Sequence, residues 1–354
     1  MAYGRRRRRK SRFLSRFIIL LLIAGGGYYA YIKYYKKPES SAPVVAATAP
    51  ADSPMPSPGG SPLTPPLEGL GGGEVESEQT SQPATSRPFI GTVQPIAIEP
   101  VAVPSADQVE TVYQEGMQAW QAGDLLKARD ALNRVLHAAI PAERQAQIRE
   151  VLNQIAEKTI FAPFVILPGE TMAEDYVVVQ NDNLQKIGRI YKVTEELLSV
   201  VNGNMNKHVI RTGRRLKVVK GPFHATVVKS SFEMHLYLQN VYVRTYKVAL
   251  GADNSTPTGK WVVTDRLTDP TWTNPRTGQR VAASDPQNPL GEFWIALDGI
   301  EGRALGQSGY GIHGTIDDSS IGTQASMGCV RLSSKDIEVV YAMLVPGSTV
   351  TITD

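Results

Sequence analysis

The chain has 354 residues, more than one compact domain usually holds, and 42% hydrophobic against 20% charged residues exclude disorder throughout. Its one cysteine, Cys329, excludes an intrachain disulfide, a Cys-x-x-Cys redox pair and a multi-cysteine zinc site. Residues 1–37 hold eleven Lys and Arg and no acid; subtracting those eleven charges from the formal +3 leaves −8 for the remainder, which argues against nucleic acid as a partner.

The basic run (Arg5 to Arg9, Lys10, Arg12, Arg16) precedes Phe17 to Ile32, sixteen residues without a charge. At about 1.5 Å per residue this helix spans roughly 24 Å, and Arg16, Lys33 and the tyrosines 28, 29, 31, 34 and 35 suit its interfacial ends. Eight positive charges before the segment against three after it predict a cytoplasmic N-terminus. The expectation for residues 1–37 is a single-pass anchor in the cell membrane, with everything after it extracytoplasmic. A cleaved signal peptide is the alternative, but Gly25-Gly26-Gly27 leads into tyrosines with no small-x-small site.

Residues 38–106 are expected to be a linker. Fourteen of the 24 prolines fall in 38–104, with seven acids, one base (Arg87) and runs such as Gly71-Gly72-Gly73. Such a composition buries too little apolar surface to fold, and 67 residues of it reach about 45 Å r.m.s. as a tether. Residues 107–160 change character. Val109, Val112, Tyr113, Gly116, Met117 and Trp120 follow a helical period. Gly123-Asp124 breaks it, Leu125 to Leu136 resumes it, and Pro141 precedes another stretch from Ile148 to Ile155. Through Tyr113, Gly116, Trp120, Gly123-Asp124, Ala128 and Leu132 the first pair resembles a single tetratricopeptide-type hairpin; the alternative is a helical spacer packed on its neighbour.

In residues 170–220 the run Tyr176-Val177-Val178-Val179 suits a strand, Asp182 a cap for a helix holding Leu184 and Ile187, and Thr194 a cap for a second helix. Thr212-Gly213 turns into a last short strand. With Tyr191, Leu197-Leu198, Asn202, Ile210 and Leu216, residues 176–219 resemble a LysM module, a βααβ unit that binds N-acetylglucosamine-containing glycan strands. Asn181 stands where that family usually has Gly, and Val219 where Pro is common, so a spacer role stays open.

Residues 221–354 read as mostly β. Alternation predicts strands over His224 to Lys229, Met234 to Leu238 and Val241 to Val248, with Gln239-Asn240 as a hairpin turn. Further strands are expected near Lys260 to Asp265, Phe293 to Leu297 and Val350 to Ile352, with a long loop from Asp269 to Pro289. A helix over Lys335 to Leu344 would be capped by Ser333 or Ser334.

Cys329 lies in Ser326-Met327-Gly328-Cys329-Val330-Arg331, sixteen residues after His313. A lone thiol is often a small buried hydrophobe. With an ordinary pKa near about 8.5, only about 3% is thiolate at pH 7, so a nucleophilic cysteine needs a partner such as His. His137, His208, His224 and His235 form no metal-ligating spacing. A Ser-x-x-Lys nucleophile and a Gly-x-Ser-x-Gly elbow are both absent.

Thr256-Pro257-Thr258-Gly259, Asn288-Pro289-Leu290-Gly291, Tyr310-Gly311-Ile312-His313-Gly314-Thr315, Ser320-Ile321-Gly322 and Ser326-x-Gly328-Cys329-x-Arg331 occur in one order. From Pro222 to Thr353 the chain resembles a YkuD-type L,D-transpeptidase catalytic domain. Met327 departs from it, since many members have His there. The resemblance implies a cysteine-dependent peptidoglycan acyltransferase with no cofactor or metal. Cys329 would be the nucleophile and His313 the base, oriented by the Gly314 carbonyl. Backbone N–H groups at Gly328 and Cys329 would hold the oxyanion. Arg331 would grip a stem carboxylate, with Ser326 and Tyr310 also beside the substrate; for Arg331 the alternative is an ion pair that supports the fold. Donor and acceptor stem peptides would be joined by 3→3 cross-links with release of D-Ala, and carbapenem-type β-lactams would acylate the thiol. L,D-carboxypeptidase activity, attachment of a protein to the wall, or a non-catalytic wall-binding scaffold are the alternatives. The whole reads as multidomain α+β: anchor, linker, helical hairpin, LysM module and mostly-β catalytic domain.

Overall fold

The computed structural model describes residues 93–274 and 277–354. The expected anchor and the expected linker up to residue 92 lie outside the described residues. Among the described residues no helix is long and apolar enough to cross a membrane. The last part of the expected linker is pinned rather than loose: Ile96 N–H donates to Gly347 O at 2.9 Å, and Arg134 Nε to Ala102 O at 3.1 Å.

Three helices follow: α1 (Val109–Ala122), α2 (Leu125–Leu136) and α3 (Ala142–Lys158). Gly123 ends α1 at φ 78°, with Asp124 N–H returning to Ala119 O at 2.9 Å, and the Asp124 carboxylate then caps α2 by accepting from Lys127 N–H. Leu132, Val135, Ile148, Leu152 and Ile155 bury the shared face of the three helices.

Strand β1 (Ala173–Val177) pairs antiparallel with β2 (Arg215–Val219), enclosing α4 (Leu184–Tyr191) and α5 (Glu195–Val200). Two expectations need correction here. The first strand starts earlier than Tyr176, and α4 is capped by Asn183, which accepts from Lys186 N–H at 2.7 Å. Asp182 is engaged elsewhere, accepting from Tyr176 O–H at 2.7 Å and Val179 N–H at 3.0 Å, and that bridge turns the chain out of the strand. Asn181 holds φ 67°, the left-handed conformation that explains a glycine preference at that place. Thr194 caps α5 as expected, accepting from Leu197 N–H at 3.0 Å.

This βααβ unit is not a bead on a string. One buried cluster runs from Ile187, Leu198 and Leu216 through Phe223 and Trp261 to Ile337. Lys217, 2% exposed, donates to the carbonyls of Thr159, Ile160 and Ala162 at 2.5, 2.9 and 2.9 Å, bolting β2 to the end of α3. Burial holds its pKa down to about 8.

The C-terminal region is built on an eight-stranded sheet. Strands β3 (Phe223–Val228), β4 (Glu233–Leu238) and β5 (Val241–Lys247) form the expected meander. A two-residue β6 (Leu250–Gly251) leads to β7 (Gly259–Thr268). The long loop is not structureless: it carries a ribbon of β8 (Trp272–Thr273) and β9 (Arg280–Val281), and buried Asn288 ties it down through Pro270 O and Leu290 N–H. Then come β10 (Phe293–Gly302), β11 (Tyr310–His313), β12 (Gln324–Ser326), β13 (Val330–Arg331), α6 (Ser334–Tyr341), capped by Ser333, and β14 (Thr349–Thr353). The sheet order is β13-β11-β10-β7-β14-β3-β4-β5. The edge strand β5 is covered by α2 and α3, where Asn133 accepts from Tyr242 N–H at 3.1 Å and donates to Asn240 O at 3.0 Å. The opposite edge, β13, carries the candidate site.

Candidate active site

His313 and Cys329 are sixteen residues apart in sequence and neighbours in the sheet. Strands β11 and β13 pair in parallel, Ile312 with Val330 and His313 with Arg331. That register sets Cys329, one residue before β13, across from Gly311. Side chains alternate along a strand, so His313, Cys329 and Arg331 share one face, while Ile312 and Val330 turn into the core. Antiparallel β10 places Trp294 directly opposite His313, and the two rings stack with centroids 5.7 Å apart and planes 23° from parallel. Gly311 is required here, because a Cβ on it would lie 2.5 Å from the Trp294 ring and 2.8 Å from Ile295 O.

The imidazole is 3% exposed, and its Nδ1 lies 2.6 Å from Gly314 O. A carbonyl only accepts, so Nδ1 carries the proton and Nε2 presents a lone pair. Burial, with the Arg331 charge second, drives the His313 pKa down to about 4. Burial also pushes the Cys329 thiol up, opposed by a backbone hydrogen bond with Gly311 and by Arg331. At neutral pH the pair at rest is therefore a thiol beside a neutral base, suited to proton transfer during attack rather than to a standing ion pair.

The thiol sits on a turn held by two hydroxyls. Ser326 Oγ accepts from Gly328 N–H at 3.1 Å and donates to Cys329 O at 2.6 Å. Thr256 Oγ1 donates to Gly328 O at 2.8 Å and accepts from Gly251 N–H at 2.8 Å. These contacts bear on the expected oxyanion donors and on Ser326. Gly328 N–H is engaged by Ser326 and is not free for an oxyanion, which leaves Cys329 N–H, without an acceptor inside the turn among the described residues. Ser326 thereby braces the turn that carries Cys329. Gly328 itself adopts φ 131°, and a Cβ there would meet the Tyr310 ring at 2.8 Å. Alternation puts Tyr310 on the face opposite His313, where it packs on Trp261 (centroids 5.0 Å apart) and supports the turn from below.

Arg331 is half-buried, and its backbone is fixed against Ala249 in both directions, at 2.8 and 2.9 Å. Its Nε is buried with no hydrogen-bond partner among the described residues. Asp317 acts on its charge, and no ion pair to the guanidinium forms among the described residues. Such an unpaired fork suits a carboxylate. Among the described residues no cluster of His, Cys, Asp or Glu could hold a metal ion. Neither the place of Trp294 nor the bracing role of Thr256 is evident from the sequence alone. Trp294 is placed by strand register, which composition does not reveal; Thr256 carried a signal in its Thr-Pro-x-Gly motif.

Residues 222–352 match the family model for the L,D-transpeptidase catalytic domain, and residues 176–219 match that for the LysM domain. YqjB of Bacillus subtilis strain 168, named as an L,D-transpeptidase, is 33% identical over 137 residues, covering 38% of this chain and 73% of its own. YkuD of Bacillus licheniformis, so named too, is 26% identical over 186 residues, covering 50% of this chain and 98% of its own. YcfS of Escherichia coli K12 is 30% identical over 200 residues, with 49% and 60% covered. Among solved structures, an L,D-transpeptidase of Mycobacterium tuberculosis H37Rv matches with a TM-score of 0.31 and 16% identity over 40% of this chain and 63% of that one. L,D-transpeptidase 3 of Mycobacterium tuberculosis, solved with a faropenem-derived adduct, matches with a TM-score of 0.30 and 15% identity over 40% and 65%.

Proposed function

The chain belongs to the YkuD-type L,D-transpeptidases, and from that premise we propose that Cys329 is its nucleophile in peptidoglycan cross-linking. The donor is a tetrapeptide stem. As Cys329 Sγ attacks the carbonyl joining the L-centre of the third residue to terminal D-Ala, His313 Nε2 takes the thiol proton. The Gly314 carbonyl holds the imidazole through Nδ1–H and steadies the imidazolium as it forms. Cys329 N–H donates to the developing oxyanion. His313 then returns the proton to the leaving amine of D-Ala, and a thioester remains on Cys329. The side-chain amine of a second stem resolves it, giving a 3→3 cross-link; water in its place gives a tripeptide. Arg331 binds a stem carboxylate through its unpaired guanidinium.

The observation that carries this reading is the shared sheet face of His313, Cys329 and Arg331, with the His313 tautomer set by Gly314 O. The LysM module binds glycan strands and keeps stems near the thiol. The basic and apolar run at the N-terminus anchors the chain in the cell membrane with the catalytic domain on the extracytoplasmic side. Carbapenem-type β-lactams acylate Cys329, since a strained lactam carbonyl meets the same nucleophile. The test incubates the full chain with disaccharide-tetrapeptide and reads products by mass spectrometry beside Cys329→Ala. A dimer lacking one D-Ala, absent with Cys329→Ala, supports cross-linking. Tripeptide alone replaces it with carboxypeptidase activity, and no product from either protein overturns the enzymatic reading.

A further inference from the structure

We propose that Thr256 is a positioning residue that aims the oxyanion donor. The inference rests on the reading of Cys329 as nucleophile. Thr256 is 1% exposed and lies 73 positions before Cys329 in the sequence, on the loop before β7. Its hydroxyl makes two bonds: the proton goes to Gly328 O at 2.8 Å, and a lone pair accepts Gly251 N–H at 2.8 Å. The threonine is itself fixed, because Lys229 Nζ donates to its carbonyl at 3.0 Å.

The bond to Gly328 O matters because of what shares its plane. The Gly328–Cys329 peptide group is planar, and in a trans peptide the C=O and N–H point in opposite directions. Holding Gly328 O against Thr256 therefore turns Cys329 N–H the other way, out of the turn. Unlike Gly328 N–H, which Ser326 holds, that N–H has no acceptor inside the turn among the described residues. Glycine at 328, with φ 131°, has the rotational freedom that a clamp must remove. Ser326 fixes the peptide before this one, through Gly328 N–H, and the carbonyl after it, that of Cys329. Among the described residues, Thr256 is what holds the plane that carries the donor.

The test separates oxyanion stabilisation from general damage by using two reactions of one thiol. Acylation by a carbapenem develops an oxyanion; alkylation by iodoacetamide displaces iodide and develops none. Full-length Thr256→Val loses the hydroxyl at nearly constant volume, Thr256→Ser keeps it, and Thr256→Ala guards against a packing effect of the valine. Acylation of Thr256→Val and Thr256→Ala is expected to slow on the order of 10- to 100-fold, less than the roughly 100- to 1,000-fold of an oxyanion donor removed outright, because the donor is misaimed and not lost. Alkylation stays within about twofold, and Thr256→Ser recovers most of the acylation rate. Equal acylation in all four proteins, or a parallel fall in acylation and alkylation, overturns the inference and leaves Cys329 as nucleophile. A wild-type chain that a carbapenem does not acylate, although iodoacetamide alkylates it, overturns the reading of Cys329 and this inference with it.

Discussion

Trp294 stands directly across from His313 on the neighbouring strand and stacks on it, with ring centroids 5.7 Å apart. The indole covers one face of the imidazole, and burial is the largest cause of its depressed pKa. Trp294→Ala admits water to that face, so the His313 pKa should rise from about 4 toward its ordinary 6.5. In the proposed mechanism His313 acts as base only when neutral. The acid limb of the kcat/KM profile, near pH 4 in the wild type, should then move upward in the variant. An unmoved limb in an active Trp294→Ala protein would mean that the stacking does not set the base.

Arg331 should divide its effect between binding and the thiol. Its guanidinium forms no ion pair among the described residues and lowers the Cys329 pKa. Arg331→Met should raise KM for a tetrapeptide about 10- to 100-fold, as expected for a lost charge-assisted pair. It should also slow alkylation of Cys329 at pH 7.5, because less thiolate is present. Arg331→Lys keeps the charge but not the fork, so it should rescue alkylation better than KM. Wild-type KM in Arg331→Met removes the residue from the substrate site.

Much of this arrangement was legible in the sequence, and the gaps have physical causes. Alternation located β3, β4 and β5, and residue chemistry located the Thr194 and Ser333 caps, because these signals are local. The cap of α4 was misassigned by one residue, since Asp182 and Asn183 suit a cap equally and only the Tyr176 bridge separates them. Strands β11 and β13 are too short to alternate visibly, and their pairing is what brings Cys329 to His313. The motifs place Tyr310 and Ser326 near Cys329, because a motif gives proximity without facing. Strand register decides facing.

The sheet edge at β5 should depend on one side chain. Asn133 satisfies Tyr242 N–H and Asn240 O from α2, so the edge strand is paired without another strand. Asn133→Ala leaves Tyr242 N–H unpaired in a buried place, while Asn240 O keeps His137 Nε2 at 3.1 Å, and should cost about 1–3 kcal/mol in urea unfolding. Asn133→Asp keeps the acceptor but sets a buried carboxylate oxygen against Asn240 O, so it should cost at least as much. A loss under about 0.5 kcal/mol in Asn133→Ala would show that water replaces the amide freely.

Acid should destabilise the fold through three buried histidines. His224, His235 and His313 are each held down to about 4, first by burial. Unfolded, each binds a proton near 6.5; folded, none does until about 4. The stability they contribute is complete above pH 6.5 and is lost as pH falls through that window, by about 3 kcal/mol per histidine across it. The urea midpoint should therefore drop steeply between pH 6.5 and 4.5. A flat midpoint over that interval contradicts the burial of these rings.

The LysM module calls for a finer test than deletion. Removing 176–219 would also remove Lys217 and the Thr194 hydroxyl that bonds Ala342 O, opening the core it shares with the catalytic sheet. Lost turnover in such a protein would reflect unfolding. Substitution of exposed residues avoids this. Val177 and Val179 are 49% and 53% exposed beside a turn where Val178 and residues 213–214 exchange hydrogen bonds at 2.8 and 2.9 Å. An apolar surface of this kind suits the face of a sugar ring, and a carboxylate in its place would carry charge into that contact. Val179→Asp should weaken co-sedimentation with sacculi several-fold while leaving kcat on a soluble stem unchanged, because His313 and Cys329 sit on a different sheet. Undiminished sedimentation would point to the spacer role that Asn181 and Val219 left open.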